Sequence, residues 1–276
     1  MYPIFLEPLC LERVTVQIAD LPPSLQGTKV VQLSDLHYDG QRLSERLLAE
    51  AVEVCNQEEP DLIVLTGDYV TDDPEPMRDL VLRLKPLQAR AGIFASLGNH
   101  DLYFRRSRQI VTEALTGIGI EVLWNAIAYP LGPDLAVVGL ADFWSREFHP
   151  GPVFAQIPPQ IPRLILSHNP DTAETLQQWR ADLQLSGHTH GGQISLPDGT
   201  PFPQLLEPLR QATPKSMHRY IPLLRECAKV VKHWEWARGY HRLGDNQLYI
   251  NRGLGTYFPG RIGCPPEVTA VTLIRA

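Results

Sequence analysis

A chain of 276 residues with 25 Lys and Arg against 31 Asp and Glu carries a formal net charge of −6, which weighs against a sequence-independent nucleic-acid binder, since proteins that track phosphate backbones are basic. The length suits one α/β domain with a large core, taken here as residues 1–276 with a cap-like insertion at about 197–238. Four scattered cysteines with no C-x-x-C pair speak against a thiolate zinc site; Met1 to Val14 lack the basic start and sustained apolar core of a signal peptide and no apolar run reaches membrane-spanning length, so a soluble or at most peripheral chain is expected.

In chain order, Val14 to Ile18 alternates as a half-exposed strand, and a Leu21-Pro22-Pro23 turn leads into a second strand, Lys29 to Leu33. Leu43, Leu47, Leu48, Ala51, Val54 and Cys55 recur at helical spacing, as do Met77, Leu80, Val81, Leu84 and Leu87, and then Ile110, Val111, Ala114 and Leu115. Between them lie short apolar strands at 62–65, 92–97, 122–124, 136–140, 163–166 and 182–186. Strand and helix in alternation predict parallel β-α-β units with both sheet faces covered.

Past Gly192 the pattern changes. Prolines interrupt 197–222, and Leu223, Leu224, Cys227, Val231 and Trp234 line one face of an expected helix running from Leu223 to Trp236. From Arg210 to Arg238 seven basic residues face two glutamates, so this helix is expected to cap the crevice or to contact a membrane peripherally through 223–236. Strands at 248–251 and 268–274 close the chain.

Five strand ends carry metal-binding chemistry. They read Ser34-Asp35-Leu36-His37, Thr66-Gly67-Asp68, Gly98-Asn99-His100-Asp101, Ser167-His168-Asn169 and Gly187-His188-Thr189-His190. The single-residue spacing in D-x-H and H-x-H puts both ligands on one side if the backbone is extended. Open α/β sheets bind ligands beyond the carboxyl ends of their strands, so these side chains are expected to meet at one rim.

This order of motifs resembles the calcineurin-like metallophosphoesterases, from about Asp35 to the last strand. The segments 33–37, 185–193 and 251–256 are similar to a bacterial branch of small phosphodiesterases and UDP-2,3-diacylglucosamine pyrophosphatases. The resemblance implies an α/β fold, a four-layer α/β/β/α sandwich of two mixed sheets flanked by helices, with two divalent metals at one sheet edge. Asp35, His37 and His190 would hold one metal and Asn99, His168 and His188 the other, with Asp68 bridging. Oxygen and imidazole donors suit manganese, with iron or zinc as alternatives.

By the same resemblance His100 is no ligand but the proton donor to the leaving oxygen. The chain departs here from protein phosphatases, whose Gly-Asp-x-x-Asp-Arg-Gly orients that histidine with the second Asp. Thr71 stands in its place, which leaves Asp72 or Asp101 to orient His100 and Arg252, or Arg105 and Arg106, to grip phosphate. The expected function is hydrolysis of a phosphodiester or pyrophosphate bond, in a lipid-linked substrate such as UDP-2,3-diacylglucosamine. The alternatives are a general soluble phosphodiesterase or phosphatase and, last, a non-catalytic metal-binding scaffold, which would not need seven ligands and a proton donor. The partner is thus a phosphorylated small molecule or lipid-linked substrate, without nucleic acid and with oligomeric state open. The expected location is the cytoplasm or the inner face of the membrane.

Overall fold

In the computed structural model, which describes residues 2–214 and 230–276, two six-stranded sheets pack face to face. The first half of the chain supplies β1 (Cys10–Ile18), β2 (Thr28–Leu33), α1 (Glu45–Gln57), β3 (Leu62–Thr66), α2 (Met77–Leu84), β4 (Ile93–Ser96), α3 (Ser107–Thr116) and β5 (Ile120–Val122). The second supplies β6 (Ala126–Ala128), β7 (Ala136–Gly139), α4 (Pro150–Phe154), β8 (Arg163–Leu166), α5 (Thr172–Leu176), β9 (Leu183–Ser186), α6 (Phe202–Ala212), β10 (Gly239–Leu243), β11 (Asn246–Ile250) and β12 (Glu267–Arg275). The sheet orders are β1-β12-β2-β3-β4-β5 and β10-β11-β9-β8-β7-β6.

Both sheets are mixed. β2, β3, β4 and β5 run parallel, and β12 enters beside β2 antiparallel. In the other sheet β7, β8, β9 and β11 are parallel, with β6 and β10 antiparallel at the two edges. The parallel β-α-β expectation therefore holds for the centre of each sheet, and the antiparallel strands lie outside it. The Gly244 turn that makes β10 an edge hairpin was not anticipated from the sequence.

Alternation within each strand explains the layers. Val30, Leu62, Val64 and Phe94 face Val137, Leu164, Leu166, Leu183 and Leu185 of the opposing sheet in one apolar cluster. Their neighbours Val31, Leu33, Ile63 and Leu65 point the other way, onto Leu48, Ala51, Cys55, Met77, Leu80, Val111 and Leu115 from α1, α2 and α3. Ala136, Val138 and Ile165 meet Val153, Phe154 and Leu176 from α4 and α5 on the far side. Strands buried on both faces read as continuous apolar runs for this reason. Ser44 caps α1 by accepting the Leu47 N–H, which sets where that helix starts.

Polar side chains also cross between the sheets, among them Gln247 of β11 to the Gln17 carbonyl at 2.8 Å, Tyr249 of β11 to Glu267 at 2.7 Å, and Gln32. Gln32, fully buried in β2, donates to Thr66 Oγ1 and to the Ser186 carbonyl of the other sheet, each at 2.9 Å. It ties the two sheets together directly beneath the rim where the motif loops emerge.

The stretch after Gly192 departs from expectation. Residues 202–212 form α6 despite the prolines: Pro203 occupies the first turn, where a missing N–H costs nothing, whereas Pro208 lies inside the helix and removes one intrahelical hydrogen bond. The expected helix from Leu223 to Trp236 has its part at 223–229 outside the described residues. It does not continue to Trp236, because Asp171 accepts the N–H groups of Lys232 (2.6 Å) and His233 (3.1 Å) and takes them out of helical pairing. Trp234 to Trp236 form a single 3-10 turn, and Trp234 is buried, so it cannot serve as a lipid-facing residue. Lys232 pairs with Glu174. No helix among the described residues is long and apolar enough to cross a membrane.

Candidate metal centre

The carboxyl ends of β2, β3 and β4 from one sheet and of β8 and β9 from the other open onto one rim, and the loops leaving them hold every expected ligand. Ten described non-glycine residues have positive φ, and five of them are Asp35, His37, Asp68, His188 and His190, between 43° and 70°. The expectation of extended backbone at D-x-H and H-x-H is therefore corrected: tight left-handed turns, not strand alternation, aim these side chains together. Such conformations cost on the order of 1 kcal/mol or more each in an L-residue and persist where the surroundings enforce them.

Three groups of donor atoms each lie mutually within 4.8 Å. Asp35, His37 and His190 form one and Asp68, His168 and His188 a second, both buried, while His37, Asp68 and the half-buried His100 form a third that overlaps the other two. Asp68 joins them. Its Oδ2 lies 3.0 Å from His168 Nε2 and 3.5 Å from His37 Nε2, while its Oδ1 accepts the His100 N–H at 2.9 Å. His188 N–H donates to both Asp35 oxygens at 3.0 Å, which links the first cluster to the loop of the second.

Hydrogen bonds behind the rings decide which nitrogen faces inward. His190 Nδ1 donates to the Gly255 carbonyl (3.0 Å), His168 Nδ1 to the Thr66 carbonyl (2.7 Å) and His188 Nε2 to the Val230 carbonyl (2.8 Å). A carbonyl can only accept, so each ring's other nitrogen is the one left to bind a cation. His37 Nδ1 lies 3.1 Å from the Tyr257 hydroxyl. The inward nitrogens then crowd: His37 Nε2 is 3.1 Å from His190 Nε2, and His168 Nε2 is 3.1 Å from His188 Nδ1. Without a cation one nitrogen of each pair can carry the proton and donate to the other; a bound cation would take that proton's place.

The electrostatics agree. Burial pushes His188 down to about 3, His190 to about 4 and His37 well below its usual range, so these three are neutral ligands-in-waiting. Burial also opposes protonation of His168, but the charge of Asp68 and its hydrogen bond outweigh it and hold that pKa up to about 10. Asp68, despite its own burial, is kept ionised well below the ordinary carboxylate range, mainly by His168 and His100. Asn99 completes the set: its Nδ2 donates to Tyr103 at 3.0 Å, while its buried Oδ1 has no partner among the described residues. An orphaned carboxamide oxygen beside oxygen and imidazole donors, with no thiolate in the set, fits divalent cations such as manganese, iron or zinc.

His100 sits at the edge, half-buried, its ring edge-on to His37 at 4.8 Å. Its Nδ1 donates to the Thr71 carbonyl. This corrects the expected orienting carboxylates. Asp72 is exposed, and Asp101 is consumed by the N–H groups of Gly98, Asp68 and Tyr69 at 2.9 Å each, where it shapes the loop that carries Asp68.

The phosphate-gripping arginines are corrected as well. Arg252 is buried and held between Glu267 (2.5 Å) and Glu12 (2.7 Å), so its charge is already spent inside the protein. Arg105 is exposed and lies outside the cleft. That cleft, about 730 Å³, is lined among the described residues by the centre itself and by Tyr103, Trp144, Gln193, Pro203, Trp234 and Tyr257, with no Lys or Arg. Tyr257, Tyr103 and Trp144 went unnoticed in the sequence, where single aromatics carry no spacing signal.

The chain matches the sequence model of the calcineurin-like phosphoesterase family over residues 28–192. It is 31% identical to phosphodiesterase YaeI of Escherichia coli, covering 99% of this chain and 92% of that protein. It is 29% identical to UDP-2,3-diacylglucosamine pyrophosphatase LpxG of Chlamydia trachomatis (95% and 89% covered) and 29% identical to the metallophosphoesterase YkuE of Bacillus subtilis (99% and 88%). One solved crystal structure superposes at a TM-score of 0.52 with 11% identity, over 81% of this chain and 90% of its own, a likeness of fold alone. The match of the family across 28–192 and of YaeI across nearly the whole length leads to one conclusion: the chain belongs to the calcineurin-like phosphoesterase family and is a metal-dependent phosphoester hydrolase.

Proposed function

We propose that the chain hydrolyses a phosphodiester or pyrophosphate bond at a dinuclear centre, and that its substrate is lipid-linked. The observation that carries the dinuclear reading is the position of Asp68 Oδ2 between two groups of inward-turned imidazole nitrogens. Asp35, His37 and His190 would hold one cation, Asn99, His168 and His188 the other, and Asp68 both. Manganese is the first choice, iron or zinc the alternatives. Such cations, when bound, polarise the phosphoryl oxygens and make a water acidic enough to attack phosphorus at neutral pH.

The remaining roles belong to side chains. His100, with Nδ1–H tied to Thr71, has Nε2 as the nitrogen that hands a proton to the leaving oxygen. Tyr103, Trp144 and Trp234 exclude water around the reacting group and offer apolar surface to its substituents. With no Lys or Arg among the described lining residues, anionic charge on the substrate is met at the cations themselves. Of the segment at about 197–238, the described residues Pro203 in α6, Val230 and Trp234 line this cleft, which supports reading the segment as its cap.

The lipid-linked substrate is supported by these aromatic walls and by the likeness to LpxG, which makes UDP-2,3-diacylglucosamine the named choice. The likeness to YaeI, named a phosphodiesterase, supports a soluble diester as the second reading. A manganese-supplemented turnover panel separates them, using that glycolipid, simple diesters, cyclic nucleotides and phosphomonoesters. Fast cleavage of small diesters with the glycolipid untouched overturns the lipid assignment. Protein that neither holds nor takes up metal overturns the dinuclear one.

A further inference from the structure

His100 is oriented by a main-chain carbonyl, and a carbonyl at a loop residue is only as fixed as the residue that bears it. Thr71 is buried, and its hydroxyl donates to Asp39 Oδ2 at 3.0 Å. Asp39 is itself immobilised: Oδ1 accepts the N–H groups of Gln41 and Arg42 at 2.9 Å each, and Oδ2 also pairs with the Arg42 guanidinium. That guanidinium lies over the ring of Tyr257, 4.5 Å from its centroid, and the Tyr257 hydroxyl is 3.1 Å from His37 Nδ1. The chain of contacts therefore runs from His100 through Thr71, Asp39, Arg42 and Tyr257 to His37, from the proton donor to a ligand of the first metal pocket.

We infer that Asp39 and the Thr71 hydroxyl are positioning residues for the proton donor: together they hold the Thr71 carbonyl against His100 Nδ1, at a fixed spacing from His37. The inference rests on the reading of His100 as proton donor. Its physical content is that a side-chain carboxylate still governs the imidazole, but from two bonds away and from the β2 loop, with the backbone of residue 71 as intermediary. Arg42 neutralises that carboxylate, so the His100 ring meets a carbonyl dipole and not a full negative charge.

Thr71→Val tests it, since valine keeps the size and the carbonyl and deletes only the hydroxyl, and Thr71→Ser restores the hydroxyl. Each variant, with His100→Ala beside them, is assayed on ethyl 4-nitrophenyl phosphate, whose leaving group needs no proton, and on ethyl benzyl phosphate, whose leaving group does. Thr71→Val is expected to lower kcat on the benzyl ester by about tenfold or more and on the aryl ester by less than about threefold. KM and bound metal stay unchanged, and Thr71→Ser recovers most of the loss. The Thr71→Val/His100→Ala double variant should be no slower than His100→Ala alone, because both act through one proton. If His100→Ala discriminates between the esters and Thr71→Val does not, or if Thr71→Ser is as slow as Thr71→Val, the positioning role is wrong and the donor stands. If His100→Ala slows both esters equally, the donor reading falls and this inference with it.

Discussion

Gly98 is packed against Asp68 so closely that a β-carbon on it would lie 2.1 Å from Asp68 Oδ1 and 2.7 Å from the Asp68 amide nitrogen. Only glycine leaves room for the carboxylate that both metal pockets share. Gly98→Ala should therefore displace Asp68 and lower bound metal and turnover together, the latter by about a hundredfold or more. Metal analysis of the folded variant beside its activity checks this. Normal occupancy with normal turnover would show that Asp68 tolerates the shift.

Cation binding should release a proton. In the metal-free chain His168, held up to about 10 by Asp68 against the cost of burial, is protonated at pH 7.5 and donates to that carboxylate. His188 and His190, pushed down to about 3 and 4, carry no proton to lose. Metal uptake thus displaces about one proton per chain, and affinity rises with pH across the range below the His168 pKa. Calorimetric titration with manganese in buffers of different ionisation enthalpy measures the number directly, and a value near zero is incompatible with the protonated His168.

Tyr257→Phe removes the hydroxyl that meets His37 Nδ1 and leaves the ring beneath Arg42. A ligand imidazole freed from its outer partner loses a fixed tautomer and some basicity, so metal affinity should fall about tenfold while the fold is kept. Competition with a chelator reads this out, and unchanged affinity would assign the Tyr257 hydroxyl to substrate alone.

Arg252→Met should act on stability and not on the reaction. The substitution leaves Glu267, almost wholly buried, without its cationic partner, at a cost of about 3 kcal/mol. A lowered unfolding midpoint with KM of the folded protein unchanged is expected. A raised KM at unchanged stability would return Arg252 to phosphate binding.

The side chains that meet at the rim were legible because each sits in a short contiguous motif directly after an apolar strand, and strand ends converge in this class of fold. The four layers were legible from strands apolar on both faces. What surrounds the ligands was not. The atom that orients His100 is a backbone oxygen of Thr71, which no residue identity announces, whereas Asp72 and Asp101 carry side-chain carboxylates that the sequence shows directly. Tyr257 meets His37 across 220 positions of sequence. Arg252 looked free only because Glu12 and Glu267, its two partners, come from the opposite ends of the chain. Left-handed backbone at Asp35 and His37 is uncommon for any residue with a β-carbon and is dictated by loops that pack only once both sheets are in place.

The division of donors between the two sheets has a consequence for the protein's lifetime. Asp35, His37, Asp68 and Asn99 leave one sheet, His168, His188 and His190 the other, and only a few hydrogen bonds, such as those from Gln32, His168 Nδ1 and the His188 amide, are described between the two at this rim. A cation in either pocket is then also a rivet through the sandwich, and the free energy of binding adds to that of holding the two halves closed. Starved of metal, the chain would breathe along its apolar seam and offer the rim loops to proteases. Supply of the ion would set how much enzyme survives as well as how fast each molecule works.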